Sequence, residues 1–167
     1  MPSDGPAFDV GLLSPVTVGF DSSVTDTAVL DALVTAEVAL VRARGARGLS
    51  PADVVDRVSR TFGWAGAGEP CRAHAIDASA LVAASVAGGN PVIPLVGLLN
   101  DAVGAEAEMH RGATSQDIVD SALMFVAARA AREVSASLNE TGAALREFAG
   151  AHRDQVAAAR TLSLIHI

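Results

Sequence analysis

Between Gln116 and about Arg153 there is no proline, and apolar residues return at helical spacing: Ile118, Val119, Ala122, Phe125, Val126, Val134, Leu138, Leu145 and Phe148. The pattern predicts a single helix roughly 57 Å long at the standard rise per residue, far beyond an ordinary globular helix. Its polar face is thin, with Ala at many positions where a solvated helix would carry charge, so it must pack on several sides. A chain of 167 residues cannot supply enough neighbours, and a multi-helix bundle completed by other subunits or by further sequence is expected.

The rest of the chain agrees with an all-α fold. Half of it is hydrophobic but only 4% is aromatic, so the core must come from Ala, Val and Leu, which suit closely packed helices. Residues 1–23 carry Pro2, Pro6 and Pro15 without helical periodicity and read as an irregular arm. Leu30, Leu33, Glu37, Leu40 and Val41 then step by three and four, predicting a helix from Asp26 to Arg44 capped by Thr25 or Asp26. Ser50-Pro51-Ala52-Asp53 reads as a helix start with Ser50 as cap and Pro51 in the first turn. Asp77 can cap a helix that stops at Gly88-Gly89, and Asn90-Pro91 opens another that runs to Gly104. The domain reading is 1–113, a helical domain with an irregular arm, and 114–161, the start of a truncated helical bundle.

The formal charge is −7, and all 12 basic residues are Arg. That balance argues against nucleic acid or an anionic membrane surface as the main partner, while a few Arg side chains and a helix N-terminus can still bind an anionic small molecule. The single Cys71 permits no internal disulfide, and with no export signal or bilayer-length apolar run the expected location is cytoplasmic. His74 and His152 lack companions at metal-ligand spacing, so no metal site is expected. Trp64 reads as a packing residue, and Glu106 and Glu108 as solvated carboxylates.

The segment His110-Arg111-Gly112-Ala113-Thr114-Ser115-Gln116-Asp117 sets an imidazole, a guanidinium and two hydroxyls immediately before the long helix, whose first N–H groups lack intrahelical partners. A substrate carboxylate could bind there, and Asp117 could reach back to the loop. Residues alone favour the plainer reading, a Thr/Ser cap after a Gly turn with His110 and Arg111 merely solvated.

This string, with its continuation Ile118 to Leu123, resembles the fumarase/aspartase superfamily, and the Arg after the His resembles its 3-carboxy-cis,cis-muconate cycloisomerase branch. Gly11-Leu12-Leu13-Ser14-Pro15, the stretch from Gly89 to Val96, and Arg160-Thr161-Leu162 agree in order and spacing. Adenylosuccinate lyases typically have a His-Asp pair where Asn90-Pro91 stands, which weighs against that branch. The resemblance implies an intramolecular lyase interconverting 3-carboxy-cis,cis-muconate and 4-carboxymuconolactone in aromatic degradation, with no cofactor. It implies His110 as a catalytic residue, and Arg111, Thr114, Ser115, Gln116, Asp117, Asn90, Arg160 and Thr161 as substrate-binding residues for a small polycarboxylate. It also implies a homotetramer whose long helices share one bundle, with a catalytic Ser on a loop this chain lacks. Leu162-Ser163-Leu164-Ile165-His166-Ile167 matches the translation of a transposase sequencing adapter, so 162–167 is read as foreign to the fold and the chain as a truncated piece, inactive alone. Two alternatives remain: another lyase of the superfamily, such as adenylosuccinate lyase, and a non-catalytic helical oligomerisation module.

Overall fold

The computed structural model describes residues 21–156, and these are helical: α1 Asp26–Ala46, α2 Ala52–Thr61, α3 Ala78–Gly88, α4 Val92–Val103 and α5 Ser115–Ala151, with a single 3-10 turn Ala105–Ala107 before α5. No strand occurs among the described residues. The arm, the stretch Gly11 to Pro15, Arg160, Thr161 and the final hexapeptide lie outside them.

Helix α1 is the centre of the core. Thr25 caps it, accepting from the Ala28 N–H at 3.3 Å, and Val34, Val38 and Val41 are wholly buried along it. The series that steps by three and four is therefore the buried stripe, and it includes the fully buried Glu37. The helix ends at Ala46, within the Gly45 to Gly48 region where the sequence places its stop. A Cβ at Gly45 would meet Val55 Cγ2 at 2.5 Å, so the missing side chain lets α2 press against the last turn of α1. Helices α1 and α2 pack together, α2 also meets α4, and α3 pairs with α4. Phe62, Leu95 and Leu99 fill the space between them, with no exposed surface.

Two polar side chains of α1 hold the irregular link between α2 and α3. Thr35 Oγ1 accepts from the Cys71 N–H at 2.7 Å, and Asp31 Oδ1 accepts from the Ala73 N–H at 2.7 Å. A loop laid over a core must have its N–H groups satisfied, and side chains do so here in place of a sheet ladder. Trp64 packs against the core edge with the Arg42 guanidinium 4.9 Å from its ring centre, a packing residue as its sequence context suggested.

Helix starts vary in how closely they follow the sequence. Asp77 caps α3 through the Ala80 N–H at 3.0 Å, and Gly89 ends that helix in the left-handed region at φ 60°. Asn90 Oδ1 accepts from the Val92 N–H at 2.8 Å and opens α4. Ser50, in contrast, does not cap α2: its hydroxyl is buried without a partner, and extended Pro51 stands at the cap position. A side chain drawn into the core cannot also face the N-terminal N–H groups of the helix.

The chain divides into two units, one reaching Ala130 and the other beginning at Ala131. In the first, α5 buries Ile118, Ala122 and Val126. In the second, Val134, Leu138, Leu145 and Phe148 are all exposed, although they continue the same apolar series. No described helix is long and apolar enough to cross a membrane.

Candidate active site

The loop from Gly104 to Ala113 is fastened to three helices. Arg57 of α2 donates through Nε to the Val103 carbonyl at 2.8 Å and through Nη2 to Glu106 Oε1 at 2.6 Å. Arg44 of α1, whose side chain is 10% exposed, donates to the Glu108 carbonyl at 2.9 Å and to Glu108 Oε2 at 3.0 Å. Asn100 of α4 accepts the Met109 N–H at 3.1 Å. Glu106 and Glu108 are exposed, as the sequence suggested, and in addition brace the loop as ion pairs. The adjoining Arg111 and Arg44 guanidinium groups hold the Glu108 carboxyl below its ordinary range.

These ties impose an uncommon backbone. Glu108 has φ 47° and His110 φ 69°, in the left-handed region that non-glycine residues seldom occupy. Each such residue costs on the order of 1–2 kcal/mol, sustained only where surroundings over-determine the conformation. Met109, between them, is buried and anchors the loop in the core.

His110 is the residue this loop presents. Its Nδ1 lies 2.7 Å from Oε1 of Glu37, a carboxyl group with no exposed surface. With the carboxylate as acceptor, Nδ1 carries the proton and Nε2 is the nitrogen that can act on a ligand. Burial pushes the Glu37 carboxyl above its ordinary range, and the His110 bond only partly opposes this. The other oxygen, Oε2, is buried without a partner.

Beyond His110 the chain enters α5 through a reciprocal capping box. Thr114 donates to Asp117 Oδ2 through its N–H at 2.8 Å and through Oγ1 at 2.9 Å, while the Asp117 N–H donates back to Thr114 Oγ1 at 3.4 Å. The Thr114 bonds hold the Asp117 carboxyl below its ordinary range. Asp117 therefore occupies donors that sequence reasoning offered to a substrate, and the Ser115 hydroxyl and the Ser115 and Gln116 N–H groups stay outside the box.

The remaining expected site residues are dispersed. Arg111 is exposed and turns back onto Glu108. Gln116 Nε2 donates to Asp120 Oδ1 at 2.7 Å, along α5 itself. Asn90 sits at the opposite end of α4 from Asn100, about 15 Å along the axis at the standard helical rise, so nothing in the described residues brings it to His110. A cavity of about 480 Å³ lined by Asp31, Arg60, Cys71, Arg72 and His74, and a second of about 370 Å³ between α1 and α3, include no residue from 110 to 117. No group of three metal-ligating side chains forms among the described residues.

Sequence reasoning missed Glu37, Arg44 and Asn100 as parts of this site. For Glu37 a signal was present: a carboxylate in an otherwise apolar core stripe requires a buried partner.

No family model matches the chain. Nitrosuccinate lyase of Streptomyces davaonensis is 41% identical over 163 residues, covering 93% of this chain and 32% of that protein. The 3-carboxy-cis,cis-muconate cycloisomerase of Bradyrhizobium diazoefficiens is 32% identical over 157 residues, covering 90% of this chain and 33% of its own length. The crystal structure of the 3-carboxy-cis,cis-muconate lactonizing enzyme from Pseudomonas putida superposes with a TM-score of 0.70 at 31% identity, covering 82% of this chain and 30% of that one. Fold and sequence together define a segment of a helical lyase-superfamily enzyme. The chain belongs to the fumarase/aspartase-like family, and it spans about a third of the length of the relatives it matches.

Proposed function

We propose that this chain supplies one part of an active site that makes or breaks a bond β to a carboxylate in a small polycarboxylate. The observation that carries the reading is the placement of His110: an imidazole held by a buried carboxylate, in a left-handed loop that opens directly onto the N-terminus of α5. In such a reaction a base removes the proton next to a carboxylate, the electron pair becomes the new double bond, and the β substituent leaves with its bonding pair. Negative charge builds on the substrate carboxylate, where fixed N–H and hydroxyl donors stabilise it in the transition state. The Ser115 hydroxyl, the Ser115 and Gln116 N–H groups and the remaining N–H groups of Arg111 are the donors for substrate carboxylates, since Asp117 holds both donors of Thr114. His110 Nε2, unprotonated in this tautomer, accepts a hydrogen bond or shuttles a proton. The base, and residues such as Arg160-Thr161, lie outside the described part, so the site would be completed by further sequence and other subunits. The exposed apolar positions of α5 from Val134 to Phe148 are the surface for a homotetrameric bundle.

Within this chemistry the segment His110 to Asp117 favours the cycloisomerase reaction, in which the leaving group is the ring oxygen of 4-carboxymuconolactone. A second reading rests on the 41% identity to nitrosuccinate lyase: by the same β-elimination, nitrosuccinate would lose nitrite and leave fumarate. Incubating the complete gene product separately with 3-carboxy-cis,cis-muconate, nitrosuccinate and adenylosuccinate distinguishes them. Consumption of carboxymuconate supports the first reading. Nitrite release replaces it with the second, consumption of adenylosuccinate alone removes both, and inertness toward all three leaves the helical oligomerisation module.

A further inference from the structure

Helix α1 lies 73 residues before the His110 loop in sequence, yet its one wholly buried carboxylate ends on that loop's imidazole. Leu or Met would fill the same core volume without the desolvation that a carboxyl group incurs, so packing does not account for a Glu at this position. Nor does the anchoring of the loop, which Arg44, Arg57 and Asn100 already provide through backbone carbonyls and an N–H. What the Glu37 carboxylate alone supplies is an acceptor for a ring proton. We propose that Glu37 is a positioning residue for His110: its carboxylate fixes the imidazole with the proton on Nδ1 and so delivers Nε2 as the working nitrogen.

The inference rests on the reading of His110 as catalytic. Four features define the device. The Glu37–His110 contact is short, at 2.7 Å, and its acceptor is out of solvent. The imidazole is 20% exposed, so one edge of the ring still reaches the surface. His110 itself sits in the left-handed region, φ 69°, with its ring against Glu37 of α1. Other charges near the loop are already committed: Glu108 to Arg44 and Arg111, Asp117 to Thr114. Glu37 is therefore the described carboxylate that can select the ring tautomer.

The test uses the complete enzyme, labelled with ¹⁵N-histidine, and the variants Glu37→Gln, Glu37→Leu and His110→Asn. The ¹⁵N shifts of wild type and Glu37→Gln should report a proton on Nδ1, because an amide oxygen can still accept from it, while Glu37→Leu should lose that preference. Turnover should fall about 10-fold in Glu37→Gln and about 100-fold in Glu37→Leu, with KM changed less than about 3-fold, as for other residues that orient a working group. In the His110→Asn background, Glu37→Leu should cost less than about 3-fold more, since the two residues act as a unit. A wild-type ring protonated on Nε2, or a folded Glu37→Gln and Glu37→Leu with unchanged kcat beside an inactive His110→Asn, overturns the inference and leaves the role of His110 intact. An active His110→Asn removes both. If Glu37→Leu does not fold, Glu37→Gln and the ring shifts decide alone.

Discussion

Helix α5 passes through two regions that share a sequence pattern but not an environment. Up to Ala130 its apolar positions Ile118, Ala122 and Val126 are buried, whereas beyond it Val134, Leu138, Leu145 and Phe148 are 58–65% exposed. Periodicity states which face wants burial; it does not state what will cover that face. In the first region other parts of the same chain cover it, and that region also holds the loop that fixes His110. The second is helix without a core, and an isolated helix owes most of its stability to packing of its apolar face.

The largest test of that contrast is a pair of truncations. Phe62→Ala, in a site with no exposed surface, should destabilise by about 3–5 kcal/mol through lost burial and the cavity left behind. Phe148→Ala, with 63% of its surface exposed, should shift stability by less than about 0.5 kcal/mol in the single chain. Urea unfolding of both variants measures the difference, and equal losses would show that the second region is covered in solution.

Next in size is a pH effect confined to the first region. Burial raises the Glu37 carboxyl above its ordinary 4.5, so between that value and the raised one the folded state binds more protons than the unfolded state. Its contribution is fully present below the ordinary value and is lost as pH rises through the raised one. Glu37→Gln, which cannot ionise, should therefore match wild type near pH 4 and exceed it once pH has risen through the raised value. Thermal unfolding across that range reads this, and a variant weaker at its upper end would show that the ionised pair stabilises the fold. Glu108 and Asp117 have the opposite sign: their lowered values give a contribution present above the ordinary carboxylate range and lost as pH falls through the lowered one.

Thr114→Ala removes one half of the capping box and should cost about 1 kcal/mol, with fraying of the first turn of α5 visible in amide exchange. The smallest expected effect is Leu138→Glu, within about 0.5 kcal/mol in the single chain because the site is already exposed. In the complete enzyme the same change should break the assembly, read by sedimentation; an unchanged oligomer would place the subunit seam elsewhere.

The helices were legible because their signals are local. Thr25, Asp77 and Gly89 act within three residues of the ends they cap, and apolar spacing carried α1, α4 and α5 to within a few residues. Ser50 failed as a cap because sequence gives the residue type but not whether the chain turns it inward. The braces of the candidate site were not legible: Arg44 meets Glu108 across 64 residues and Arg57 meets Glu106 across 49, and no spacing rule links such positions. Glu37 stood in plain view in the apolar series, but its partner emerged only when the loop folded back on α1.

The single thiol of the chain has a practical consequence. Cys71 has no exposed surface, its N–H is tied to Thr35, and burial pushes its ionisation upward. A thiol reagent can reach it only when the α2–α3 link lifts off α1, so the labelling rate at fixed pH is a clock for local opening, read without added probes. Because Cys71 is the sole cysteine, every labelling event reports that one motion beside α1, the helix that also carries Glu37.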